Sequence, residues 1–365
     1  MLLQRWLLRE GVRMPRLGSI QGFIPPYVLS RIVDHGDERQ RSSALGTLSH
    51  VRTLLHNPGR PGVRQAPVSE LERTDDERAQ RSIYDAKNGN QLPGVLVRKE
   101  GQPAVSDIAV DEAYDHLGAT FDFFYQVLGR NSIDNRGLPL SGTVHYGQDY
   151  QNAFWNGEQM VFGDGDGEIF NRFTISLDVV AHELTHGVTE SEAGLVYYNQ
   201  SGALNESVSD VFGVLVKQYS LKQRAEEANW LIGEGLLTEK INGRGLRSMS
   251  EPGTAYDDPM LGKDPQPGHM RDFIETRDDN GGVHLNSGIP NRAFYLAATG
   301  IGGYAWETAG RVWYDTLCDS RLTNDADFPA FARLTVSNAG RRFGAEARET
   351  QVISKAWQDV GVELT

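Results

Sequence analysis

One seven-residue stretch, Val180-Ala181-His182-Glu183-Leu184-Thr185-His186, constrains this chain more than any other. On a helix, His182 and His186 stand four apart, so they share one face, one turn from each other. That spacing lets two imidazoles grip one zinc ion. Glu183, beside the first, can then reach the water at such a centre as a general base. The motif is short, and an amphipathic helix with two solvated histidines reads the same. A third ligand on a neighbouring element decides between the two. Gly202-Ala203-Leu204-Asn205-Glu206-Ser207-Val208-Ser209-Asp210 opens the next helical pattern and carries Glu206 in its first turn. Two His and one Glu, with one position open, form the ligand set of a hydrolytic rather than a structural zinc site. Asp210, one turn beyond Glu206, can accept the second N–H of a ligand histidine, and it reads equally as a surface acid.

The 365 residues allow two or three domains, and 39% hydrophobic with 23% charged residues fits a packed globular protein. The net charge of −13 argues against nucleic acid as a partner, because phosphate binding needs a basic surface. Cys318 is the single cysteine, which excludes disulfides and a cysteine-built zinc site. No apolar run is long enough to span a membrane. Arg5, Arg9, Glu10 and Arg13 interrupt any signal-peptide core, so we expect either secretion by a route without a clear signal peptide or residence in the cytoplasm.

Charge and composition divide the chain. Residues 1–60 carry nine arginines against four acids, a net +5, which leaves −18 for the rest. This contrast suggests electrostatic docking of the head on the body. The Pro- and Gly-rich stretch from Asn57 to Pro67 reads as an exposed linker. We therefore expect a unit at 1–65, a β-rich unit at 66–190 that includes the zinc helix, and a helical unit at 191–365. Thr143–Tyr146 and Gln159–Phe162 have strand composition. Val110–Leu128, Ser176–Thr189, Ala203–Tyr219, Gly288–Ala298, Tyr304–Leu317 and Phe328–Phe343 have helical spacing. Strands first and helices afterward predict an α+β fold.

The two zinc segments resemble the thermolysin family of zinc endopeptidases, and the likeness runs over most of 83–365. Tyr150-Gln151-Asn152-Ala153-Phe154-Trp155-Asn156-Gly157 resembles the family's substrate-binding edge strand. Leu246-Arg247-Ser248-Met249-Ser250 and the block from Asp279 to Gly288 match two further family segments. Ile24-Pro25-Pro26-Tyr27-Val28-Leu29 is similar to the segment carried by protealysin-type members with a short propeptide.

The resemblance implies a two-domain metalloprotease with one catalytic Zn2+ on His182, His186 and Glu206, made as a zymogen. Glu183 would act as general base, His284 and Tyr197 would steady the oxyanion, and Asp279 would orient His284. Asn152, Ala153 and Arg247 would bind the main chain of protein or peptide substrates. Val179, Phe170 and Leu246 would line an apolar primed pocket, which implies cleavage before bulky residues such as Leu or Phe. Of the paired calcium site of the secreted relatives, acids remain only at Asp178 and Glu234, while Lys217, Asn229 and Leu231 fill the other positions and Arg244 replaces a further Asp. Zinc is therefore expected and Ca2+ has little left to hold it. Lys217 could stand in for the cation by pairing with Asp178.

Phe23-Ile24-Pro25-Pro26-Tyr27 is stiffened by its prolines, so it can fill a cleft at low ordering cost. The resemblance implies that the chain's own propeptide lies in the active cleft, with Pro25, Pro26 and Tyr27 as its inhibitory segment, followed by one or two helices between Val28 and Leu55. Two alternatives remain at this point. A zinc aminopeptidase would need an anionic anchor for the substrate amine, such as a Gly-x-Met-x-Asn-like block, which is not found. A catalytically silent peptide-binding relative would share the metal and lack turnover.

Overall fold

The computed structural model describes residues 21–56 and 78–364. The expected linker lies outside the described residues. Three strands pair around the core of the N-terminal half: β2 (Arg81–Asp85), β4 (Leu140–Val144) and β6 (Met160–Phe162), successively parallel. Antiparallel β3 (Val95–Lys99) adds to one side and β5 (Ala153–Trp155) to the other. A two-residue strand from the N-terminal segment, β1 (Gln21–Gly22), lies antiparallel on β5 and completes a six-stranded mixed sheet. The edge that β5 would leave open is thus covered by the chain's own residues.

The N-terminal segment then forms α1 (Pro26–His35) and α2 (Glu38–His56), two helices within the expected range. Pro25 sits at the N-cap and Pro26 opens the helix, where a missing N–H costs nothing. Val28, Leu29 and Ile32 of α1 and Ala44 of α2 are buried in the common core. Arg5, Arg9, Arg13, Arg16 and Arg60 of the basic head lie outside the described residues. Among the described residues, Arg39–Asp149 at 3.1 Å is the ion pair that joins segment to body, and the Arg39 side chain is 62% exposed. Such a pair stabilises by well under 1 kcal/mol. The apolar face of α1 carries the docking instead, supported by Ser43 Oγ donating to Asp149 O (2.6 Å) and by His50 lying between the Tyr146 and Tyr150 hydroxyls (2.9 and 3.2 Å).

Helix α3 (Ile108–Leu128) crosses the sheet. Its N-cap Asp107 accepts from the N–H of Ala109 and Val110, and Gly129 ends it in the left-handed region. The zinc motif lies on α4 (Leu177–Ser191), and α5 (Asn199–Leu221) packs along it. Beyond α5, Leu231–Ile232 pairs with Arg247–Ser248 and Asp257–Asp258 with Gly262–Lys263, and helices follow: α6 (Asp279–Asn286), α7 (Gly288–Ile301), α8 (Ala309–Leu317), α9 (Phe328–Phe343) and α10 (Arg348–Asp359). The layout is α+β, as the order of patterns predicted. The single helix expected over Tyr304–Leu317 is divided. Thr308 has non-helical torsions (φ −119°, ψ −93°), so a short 3-10 turn at Ala305–Glu307 precedes α8.

His145, just after β4, ties the start of α3 to the loop that leads toward the zinc helix. Its Nε2 lies 3.1 Å from Asp107 Oδ2 and its Nδ1 lies 2.8 Å from Asp164 Oδ2. With a carboxylate on each ring nitrogen, the imidazolium is the form that satisfies both. The Asp164 hydrogen bond, opposed by partial burial and reinforced by Asp107, pushes the pKa up to about 9. A raised pKa means stability that is fully present below the unfolded value near 6.5 and lost as pH rises through about 9. His145→Asn, which tolerates the positive φ of 52° found here, should lower stability by about 2 kcal/mol at pH 6 and by much less at pH 10, read from denaturant melts.

Candidate metal centre and active site

His182 and His186 come from consecutive turns of α4, and Glu206 comes from α5 beside it. One ligand atom from each lies within 4.8 Å of the others, and all three residues are buried. The two Nε2 atoms approach to 3.1 Å with the rings nearly perpendicular. The Nδ1 atoms face outward: His182 Nδ1 lies 2.8 Å from Asp210 Oδ1, and His186 Nδ1 lies 2.8 Å from Asn205 Oδ1. These acceptors hold the protons on Nδ1 and leave the Nε2 lone pairs turned toward each other. Two more oxygens at this place, Glu206 Oε2 and Glu183 Oε1, are buried with no hydrogen-bond partner. Buried polar atoms without partners are costly, and a divalent cation with its water would satisfy this set. The donors, two imidazoles and one carboxylate, suit zinc.

Electrostatics around the centre are divided by residue. Burial pushes the Glu183 carboxyl well up, with the neighbouring Glu206 charge adding to it. Burial also works against the Glu206 charge, but His284, His186 and His182 around it hold its pKa at about 2. Burial alone would lower His284, yet the Asp279 and Glu206 charges outweigh it and raise the pKa to about 9. Glu183 is held by one oxygen, since the Trp155 N–H of the edge strand donates to its Oε2 at 3.1 Å.

His284 reaches the centre through an unusual turn. Asp279, Asn280, Gly281 and Gly282 all have positive φ (52°, 51°, 82° and 77°). The left-handed run folds the Asp279 carboxylate back, so Oδ1 lies 2.6 Å from His284 Nδ1 while Oδ2 accepts the His284 N–H. Two glycines and an Asn make such a run affordable. On the far side, His284 Nε2 lies 3.2 Å from the Tyr197 hydroxyl, which donates to Glu206 Oε1. Tyr197, Asp279 and His284 are therefore brought together with the cluster.

Asp210, buried completely, joins the ligands to the rest of the site. Besides His182 it accepts from Arg247 Nε and Nη2 and from Asn291 Nδ2, each at 2.8 Å. Arg247 Nη1 also donates to Phe23 O at 3.4 Å. Asn152 Oδ1 accepts the Ile24 N–H at 2.8 Å, and Ala153 O accepts the Phe23 N–H at 3.0 Å. Val179, Phe170 and Leu246 are buried in the common core together with Phe23, and Gly233 lies against both Leu246 and the Phe23 ring. Tyr27, in the first turn of α1, lies against Tyr256 with Asp264, Asp279 and Arg247 near enough to act on its hydroxyl, while Phe23 and Ile24 make the main-chain contacts with Asn152, Ala153 and Arg247.

Sequence reasoning missed Asn205 and Asn291. Asn205 directly precedes Glu206, and an amide beside a metal ligand is a usable signal. Asn291 arrives from α7, and nothing local marks it.

Comparison with known proteins agrees with this geometry. Residues 64–190 match the thermolysin metallopeptidase catalytic domain, 193–362 match its alpha-helical domain, and 21–62 match the protealysin propeptide. The chain belongs to the thermolysin family of metallopeptidases. It is a zinc neutral endopeptidase with a propeptide. It is 61% identical to an extracellular metalloprotease of Pectobacterium carotovorum subsp. carotovorum, over 93% of this chain and 96% of that protein. It is 52% identical to the protease PrtS of Photorhabdus, over 95% and 93%. A solved structure of the protealysin precursor from Serratia proteamaculans superposes with a TM-score of 0.86 at 62% identity, covering 94% of this chain and 100% of that one.

Asn205→Ala should weaken zinc binding about 10- to 100-fold in competition with a chelator, because it removes the shorter of the two contacts on His186 Nδ1 and leaves Ser209 Oγ at 3.1 Å, with the three ligands in place.

Proposed function

We propose that this chain hydrolyses peptide bonds on the N-terminal side of bulky hydrophobic residues and that its own N-terminal segment holds the uncut form inactive. The observation that carries the reading is the pair of unpartnered buried oxygens, Glu183 Oε1 and Glu206 Oε2, beside two converging imidazole nitrogens. His182, His186 and Glu206 would hold the zinc, which, when bound, lowers the pKa of water and polarises a carbonyl.

The chain's own residues supply the rest. Glu183 takes the proton of the attacking water on Oε1 while Trp155 fixes Oε2, and it then returns the proton to the leaving nitrogen. Its burial favours the protonated form, which suits a base that must later act as an acid. His284 and Tyr197 offer donors to the oxygen that gains charge, and Asp279 keeps His284 cationic. Asn152, Ala153 and Arg247 bind substrate main chain as an added strand would be bound. Val179, Phe170 and Leu246 give the primed pocket its apolar character. Residues 1–65 act as the propeptide, 66–190 as the β-rich part of the enzyme and 191–365 as its helical part.

The relatives' names, extracellular metalloprotease and extracellular minor metalloprotease, support release outside the cell. Among the described residues, no helix is long and apolar enough to cross a membrane.

At the position of the relatives' calcium pair, Lys217 Nζ lies 2.6 Å from Asp178 Oδ2 and 2.6 Å from Leu231 O, with Glu234 at 3.9 Å. Asp178 is fully buried, so the ammonium supplies the positive charge that a cation would. Lys217→Ala should cost about 3 kcal/mol in a denaturant melt by leaving Asp178 unpaired. A loss within a few tenths would show that the pair carries nothing.

Glu183→Gln should lower kcat on a peptide substrate by about 10²–10⁴ with zinc content unchanged. His284→Ala should lower it by about 10²–10³. Full activity in Glu183→Gln would overturn the assignment.

A further inference from the structure

The N-terminal segment does more than cover the cleft. It lies antiparallel to β5 in a single register, with Gln21 opposite Trp155 and Gly22 opposite Phe154. From there each main-chain group meets a residue proposed for substrate. Phe23 N–H goes to Ala153 O (3.0 Å), Phe23 O receives Arg247 Nη1 (3.4 Å), and Ile24 is held through N–H and C=O by the Asn152 amide (2.8 and 3.5 Å). The Phe23 side chain is fully buried. Its ring lies edge-on to the His182 ring at 5.2 Å and 4.5 Å from the Arg247 guanidinium carbon, with Gly233 against it. A bulky hydrophobic residue therefore fills the pocket beside a metal ligand, and the bond on its N-terminal side belongs to Gly22. Glycine suits that place, because a Cβ there would stand 2.6 Å from Asn152 Nδ2.

We infer that the Gly22–Phe23 peptide bond is held in the register of a substrate and is a self-processing site, whose cleavage leaves the cleft still blocked. The inference rests on the endopeptidase reading above. In the step, the oxygen of water adds to the Gly22 carbonyl carbon and the bond from that carbon to the Phe23 nitrogen breaks. Gly22 leaves as a carboxylate, and the Phe23 nitrogen takes up the proton as an amine. No other reactant is needed.

The blockade persists because the primed side is anchored elsewhere. Phe23 and Ile24 run through Pro25 into α1 and α2, whose Val28, Leu29, Ile32 and Ala44 are buried in the body. Thr47 Oγ1 further accepts the Gln151 N–H at 3.2 Å, one residue from Asn152. The cut chain thus keeps a bound product that cannot diffuse away, and activity requires a second cut beyond α2.

The test uses the full-length zinc-loaded chain, with Glu183→Gln as control, followed by intact mass and N-terminal sequencing. The expected result is a new N-terminus at Phe23 in the wild type only, with activity on a peptide substrate still suppressed. Added trypsin, which can cut after Arg64, should then raise activity. Activity released by trypsin without any Phe23 terminus would overturn this inference and leave the endopeptidase reading standing. No activity after trypsin would defeat both. A second readout avoids catalysis. In the zinc-loaded Glu183→Gln chain, adding Phe23→Gly or Gly22→Val should speed tryptic cleavage at Arg31 or Arg41, by on the order of 30-fold for the loss of the phenyl ring. Unchanged protection in both variants would overturn the register.

Discussion

The buried carboxylate of Asp210 is the interaction on which the site depends. It receives the Nδ1 proton of His182, a two-point contact from Arg247 and the Asn291 amide, all at 2.8 Å. Those partners come from three places, α4, the short strand Arg247–Ser248 and α7, and they meet Asp210 on α5. A charge without solvent must be fully partnered, so these elements cannot shift independently without leaving it short of a donor. The burial that makes Asp210 expensive alone is also what makes its geometry strict. His182 is held in one tautomer, and Arg247 is oriented so that a remaining nitrogen points into the cleft. One carboxylate thereby links the His182 ring of the cluster to the guanidinium that holds Phe23 O.

The edge strand β5 poses a second constraint. An enzyme that binds its substrate by strand addition must leave a sheet edge open, and an open edge invites pairing with any extended chain. Here the edge is covered from within. The covering strand is only two residues long, so the ladder itself contributes little. Its hold comes from Phe23 in the apolar pocket and from the two helices behind it. The basic charge of the N-terminal region contributes little in the described residues, where its one ion pair to the body is exposed. A short strand backed by a folded anchor can block firmly while joined to its helices, and it loses that hold once the helices are detached.

The legibility of the site followed the distance over which its parts act. His182, Glu183 and His186 were readable because helical periodicity alone puts them on one face. Glu206 and Asp210 were readable because the same periodicity repeats in the next helix. The residue types of Asp279-Asn280-Gly281-Gly282 suit the four positive φ values, but only the fold shows the carboxylate turned back onto His284. Asn291 could not be read, since its role exists only once α7 packs against α5. Phe23 was quoted with the Pro-Pro-Tyr segment, yet its depth in the pocket depends on a pairing register with residues more than a hundred positions away. The helix boundary at Thr308 was likewise hidden, because the Tyr304–Leu317 spacing fits an unbroken helix.

Lys217 supplies from within the chain the positive charge that faces the buried Asp178. The backbone around Asp178 retains a buried acid that accepts from Ser176 Oγ and from the Gly233 N–H, and Gly233 also borders the pocket that holds Phe23. The position of the acid and that of the pocket wall are therefore tied together. A bound divalent ion supplies a facing charge only at sufficient ion concentration, since its contribution follows mass action. A lysine on α5 supplies it within the chain, with its third contact on the Leu231 carbonyl. The charge that faces the acid beside the pocket wall is then carried by the chain itself.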